Sequence, residues 1–221
     1  MKKDKTELKE LVRKDKEGNV LSRIPLQDGK PHGTGLTYNK RGTVVQEVEY
    51  VNGKVEGEVR RYDDDGDLQQ RVQMSNGKMN GIMEAYLNKR KRTMVTYANG
   101  VPSGIMRAWH PNGQIAQEGA MLEARPHGVL RMFSDQGQIL QHLTYNKGIL
   151  HGPARLYYLS GKVREESTYI NGVKHGVSQI FAESGKVEKK TIFNEGSVVD
   201  EITPSLIKNK FGWFTRLFAG G

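Results

Sequence analysis

Glycines recur along this chain at a fixed step, and that step limits the fold more than any other feature. Gly18, Gly42 and Gly66 are 24 residues apart, as are Gly113, Gly137, Gly161 and Gly185. Arg90 stands where the intervening glycine is expected, and one residue is missing between it and Gly113. From Gly42 onward an aromatic precedes each turn position by four: Tyr38, Tyr62, Tyr86, Trp109, Phe133, Tyr157 and Phe181. A second series runs Tyr50, Met74, Tyr97, Met121, Tyr145, Tyr169 and Phe193. Such a period marks stacked supersecondary units, none of which buries its apolar surface alone.

Inside one unit, Leu68, Gln70, Val72 and Met74 alternate with Gln69, Arg71 and Gln73. Alternation of period two is a half-buried strand. Asp65-Gly66 and Asn112-Gly113 supply residues that tolerate the positive φ of a tight turn. No stretch between units has room for a crossover helix, so each unit reads as a β-hairpin. Eight turns from Gly18 to Gly185 imply eight hairpins and sixteen antiparallel strands. The expected fold is all-β: an elongated single-sheet hairpin repeat, coiled like a trough because flat open sheets seldom exceed about ten strands. A short C-terminal amphipathic helix is expected after it. The expected divisions are an N-terminal segment over 1–16, repeats over 17–196 and an aromatic tail over 197–221.

Asn52-Gly53-Lys54, Gly57, Tyr62 and Gly66, with copies beginning at Asn76-Gly77, Asn99-Gly100 and Asn171-Gly172, resemble the MORN-repeat variant of bacterial antitoxin-like (YwqK-like) proteins. The resemblance covers residues 18 to 196 and departs from the pattern at Lys89-Arg90 and Glu123-Ala124. It implies a β-hairpin scaffold whose task is partner binding, membrane association or self-assembly. A toxin or effector is the protein partner it points to.

Composition narrows the task. Hydrophobic residues make up 36% of the 221, which suits a thin repeat body better than a thick core. There is no Cys, hence no disulfide framework, thiol catalyst or thiolate-bound zinc. Basic residues near Met1 have no apolar run behind them, and no stretch approaches the about 18 apolar residues of a membrane span. A cytoplasmic protein, or one peripheral to the inner face of the membrane, is expected. The net charge of +9 arises from 34 Lys and Arg interleaved with 25 Asp and Glu. No repeat-long basic stripe results, so nucleic acid is a disfavoured partner.

Several residue sets invite a functional reading. His32, His127, His151 and His175 share one repeat slot, but equivalent positions are two strands apart, about 10 Å, too far for one metal ion. Glu56, Asn80 and Ser103 fill the same slot elsewhere, as in a polar turn position. Asp63-Asp64-Asp65 lacks the ligand spacing of a calcium loop and suits a turn. Arg60, Arg107, Arg131 and Arg155 each stand two residues before an aromatic and share its strand face. Arg60, Arg107, Trp109, Arg131, Phe133, Arg155 and Tyr157 therefore form a candidate partner-binding face, since aromatics and Arg dominate binding hot spots. The competing reading is structural, with rings filling the sheet and arginines covering them.

In the tail, Thr203-Pro204 suits a helix start. Ile207, Phe211, Phe214 and Phe218 then fall on one stripe flanked by Trp213 and Leu217, beside Lys208, Lys210 and Arg216. That segment suits a cap on the repeat stack, an anionic membrane or a partner groove. No nucleophile elbow, phosphate loop or metal signature is present. The expectation is a protein without catalysis, cofactor, metal or small-molecule substrate.

Overall fold

The computed structural model describes residues 9–203. The described residues hold strands and turns and no helix. The chain divides between Gly113 and Gln114 into two compact units. The first contains β1 (Lys9–Lys14), β2 (Val20–Gln27), β3 (Lys30–Pro31), β4 (Gly33–Tyr38), β5 (Val44–Val51), β6 (Lys54–Tyr62), β7 (Leu68–Ser75), β8 (Lys78–Leu87), β9 (Arg90–Ala98) and β10 (Val101–Trp109). The second contains β11 (Ile115–Leu122), β12 (Arg125–Phe133), β13 (Ile139–Asn146), β14 (Ile149–Tyr157), β15 (Val163–Ile170), β16 (Val173–Lys174), β17 (Gly176–Phe181), β18 (Val187–Asn194) and β19 (Ser197–Ile202).

Within each unit the strands pair antiparallel in sequence order, as a run of hairpins must, except that the short β3 and β16 pair only with β2 and β15, which pair on to β4 and β17. β3 and β16 are two-residue pieces set off by His32 and His175. Strand pairing already begins at Lys9, within the expected N-terminal segment. It also runs past residue 196 into β19, one strand beyond those of the eight hairpins. The expected C-terminal helix lies outside the described residues, as do Ile207, Phe211, Trp213, Phe214, Leu217 and Phe218.

The two faces differ in kind. In the first unit, the register aligns Val48, Val59, Val72, Met83, Val95 and Met106 across β5–β10. In the second it aligns Leu130, Leu143, Ala154, Ser167, Ser178 and Thr191. Val59, Val72, Leu130 and Ala154 are the buried apolar residues, and Ser167, Ser178 and Thr191 are buried too. The row thus turns from apolar to polar, with Ser167 and Ser178 hydroxyls hydrogen-bonded at 2.7 Å.

Four of the five-residue turns are tied by their first side chain. Asp63 Oδ1 accepts the amides of Asp65 and Asp67, and Asn39, Asp15 and Ser134 do the same in their turns. This is the capped-turn role of Asp, Asn and Ser, and it accounts for the Asp63-Asp64-Asp65 run. The irregular units stay hairpins. Asn88-Lys89 and Glu123-Ala124 form two-residue turns with positive φ at every central residue, without glycine.

The glycines after the turns Asn52-Gly53 and Asn76-Gly77 have a specific cause. Glu49 Oε2 accepts the amide of Glu58 at 2.9 Å, and Gln73 Oε1 accepts that of Ile82 at 3.0 Å. Each acceptor lies over Gly57 or Gly81, at the irregularity in its ladder. A Cβ on Gly57 would stand 2.0 Å from Glu49 Oε2, at a φ of 103°. Such glycine bulges sharpen the local twist. Gly77 has a φ of 76° with nothing within 4 Å of the site of a Cβ. Gly57→Ala is therefore expected to cost about 2–3 kcal/mol, and Gly77→Ala only about 1 kcal/mol. Urea denaturation of the two variants measures the difference.

A candidate binding face in each unit

The repeat slot occupied by His32, His127, His151 and His175 is a stitch between successive hairpins. Glu56 Oε2 accepts the amide of Asn76 at 2.7 Å, and Asn80 Oδ1 that of Asn99 at 3.2 Å. His127 Nδ1 and His151 Nδ1 accept the amides of Lys147 and Asn171, both at 3.4 Å. Any short acceptor serves, which explains why Glu, Asn and His interchange there. His32 Nδ1 is buried and makes no hydrogen bond among the described residues, a feature nothing in the structure explains.

The opposite face of the first unit carries charge. Its register places Glu47, Arg60, Arg71, Glu84, Met94 and Arg107 side by side across β5–β10. Arg60 donates to Glu47 at 3.0 Å and also to Glu58, while Arg71 donates to Glu84 and stands 3.8 Å from Glu58. Lys91 also donates to Glu84, and Tyr86 Oη donates to it at 2.7 Å. The Lys91 ammonium lies 5.5 Å from the centre of the Trp109 ring. Within this cluster Glu47, Glu58 and Glu84 balance Arg60, Arg71 and Lys91. Glu58 separates the two guanidinium groups that the register sets directly opposite each other.

Glu84 is only 3% exposed. Burial raises its carboxyl pKa, but hydrogen bonds from Lys91, Tyr86 and Arg71, with the charge of Lys91, outweigh that and hold it at about 2 against 4.5. Burial, then hydrogen bonding to Glu84, pushes the Tyr86 phenol upward. Burial and Glu47 do the same to Tyr62. Tyr62, Tyr86 and Trp109 are each half-buried.

In the second unit the register aligns Glu118, Arg131, His142, Arg155, Glu166, Gln179 and Lys190. Arg131 pairs with Glu118 at 3.4 Å, and Arg155 donates through Nε at 2.8 Å and Nη2 at 2.5 Å to Glu166. His142 lies between the two arginines. Burial first, then the charges of Arg131 and Arg155, lower its pKa below 6.5. Phe133 and Tyr157 are half-buried.

The candidate residues thus divide between the units. Arg60, Arg107 and Trp109 belong to the first, and Arg131, Phe133, Arg155 and Tyr157 to the second. Sequence reasoning found the arginines and rings but missed the carboxylates that pair with them. The signal was present as opposite charges 13 residues apart (Glu47 and Arg60, Arg71 and Glu84, Glu118 and Arg131) or 11 apart, as in Arg155 and Glu166. Those two offsets, which sum to the 24-residue period, are the cross-strand neighbours on this face.

Four segments, residues 55–76, 102–120, 150–171 and 174–195, match the MORN repeat variant. The first of them spans most of β6, its turn and β7 as one hairpin. No curated protein matches the chain. The chain is thus an all-β hairpin-repeat protein, four segments of which are similar to the MORN repeat variant.

Two titrations check this electrostatic picture. Glu84, lowered in the folded state, contributes stability that is full above pH 4.5 and lost as pH falls toward 2. Glu84→Gln is expected to remove that acid-side loss and to cost about 3 kcal/mol at neutral pH, the low end for breaking a buried pair, since its cations stay partly hydrated. His142 is lowered too, so its contribution is full above pH 6.5 and declines on acidification below that. His142→Gln should flatten this decline, read from melting temperatures across the range.

Proposed function

We propose that the chain is a non-catalytic scaffold that holds a protein partner against its charged aromatic face. The observation that carries this reading is the half-buried Trp109 ring beneath Lys91, which is itself tethered to the buried Glu84. Half-buried aromatics beside ordered cations are the residues that dominate binding hot spots. Side chains already held by ion pairs lose little further freedom on binding. Because the arginines are charge-paired, the face suits a partner of mixed polarity that stacks on the rings, in place of a strongly acidic one drawn by bare charge.

The likeness to antitoxin-like repeat proteins points to a toxin or effector as that partner and to a cytoplasmic, immunity-type inhibitor. The rival reading, a membrane-surface scaffold held by the aromatic tail, predicts sedimentation with anionic vesicles and no retained protein.

Pull-down from the native host with the wild-type chain and with Trp109→Ala tests the reading. The wild type is expected to retain one reproducible protein, and co-expression should suppress that protein's toxicity. Trp109→Ala is expected to weaken binding by at least about tenfold, as loss of a hot-spot ring does. Full binding by a folded Trp109→Ala chain overturns the face, and a retained protein without toxicity overturns the inhibitor role.

A further inference from the structure

The strands at the outer margins of the two units are complementary. β1 pairs only with β2, and β19 only with β18, among the described residues. Every residue of β1 is exposed, as are the first five of β19. Each carries an apolar pair in the open: Leu11 and Val12 at 55% and 39%, Val198 and Val199 at 57% and 63%. An unpaired strand edge with apolar side chains is a template for another strand.

The charges on the two strands have opposite sign. On β1, Glu10 is held by Arg23 at 3.3 Å, and no carboxylate among the described residues pairs with Lys9, Arg13 or Lys14. On β19, Glu201 is held by Lys189 at 2.8 Å, and no cation among the described residues pairs with Asp200. Like charges placed opposite each other on adjoining strands are destabilising, and opposite charges are stabilising. In parallel alignment, β1 against β1 or β19 against β19 sets each charge against its like and is disfavoured. Laid parallel, β19 on β1 sets Val198 and Val199 against Leu11 and Val12, and Asp200 and Glu201 against Arg13 and Lys14.

We propose that β19 of one copy adds to β1 of a second copy, so that the chain assembles head to tail with itself. Such a contact is heterologous: each copy that joins presents a fresh β1 or β19 for the next. Main-chain hydrogen bonds along the joined edges hold the copies, and the charges choose the partner strand. The proposal is independent of the partner-binding face, whose residues lie on other strands.

Sedimentation velocity of the full chain at low and high salt tests it. Species larger than the monomer should grow with concentration at low salt and recede at high salt, where screening acts within about 8 Å or less. Two folded double variants, Arg13→Glu with Lys14→Glu and Asp200→Lys with Glu201→Lys, should each lose assembly alone. Mixed in equal amounts they should recover it, because each supplies the charge the other's altered strand now attracts. A wild type that stays monomeric throughout overturns the proposal, as does either variant assembling like the wild type, or a mixture of folded variants that recovers nothing. If a reversal fails to fold, Lys14→Gln and Asp200→Asn carry the same test, with weakened assembly expected and undiminished assembly fatal to the idea.

Discussion

A strand in either unit finds its packing partners in the strands beside it, and most of the structure follows from that constraint. Among the described residues the buried apolar ones are four, and no large side chain is fully enclosed. Stability must then come from ladders, turns and cross-strand pairs, each contributing a fraction of a kcal/mol to about one. This explains why so many side chains are spent on backbone amides. Asp63 ties its own turn, Glu56 stitches one hairpin to the next, and Glu49 crosses to the amide of Glu58. Gly57 is the steric counterpart of the last of those bonds, since it leaves the room that the Glu49 carboxylate occupies.

The same constraint shapes the charged face. With no covering layer among the described residues, long side chains are ordered by pairing across strands, and the period turns charges 11 and 13 residues apart into neighbours. Most of these pairs are half-exposed, and exposed pairs add little stability each. Glu84 differs because it is buried and receives three donors, so its neighbourhood holds Tyr86, Lys91 and Trp109 in one arrangement. Order of that kind in a half-exposed ring suits recognition better than it suits stability alone. In the second unit His142, lodged between Arg131 and Arg155, weakens the row where a carboxylate would have strengthened it.

The repeat, the hairpins and the division of residues between faces were legible in the chain. Period-two alternation assigns Val59 and Arg60 to opposite sides without any knowledge of neighbours, and Asn-Gly and Asp-Gly place the turns. Less visible were the turns at Asn88-Lys89 and Glu123-Ala124, where non-glycine residues take positive φ because flanking strands already in register impose it. β19 lies beyond the last turn glycine, Gly185, so the pattern gave no reason to extend the array to it, whereas β1 is the first strand of the hairpin that Gly18 implies.

Sequence alone determined what is local and periodic: strand, turn, face and the aromatic series, all set by backbone sterics and by alternation within one segment. The tertiary structure decided which charges meet. Whether Arg60 is a bare cation or half of an ion pair depends on the register of β5 against β6, and register is shifted by a bulge in that ladder. It also decided which strands end each unit with an open edge, because pairing is a property of two strands and neither one records it.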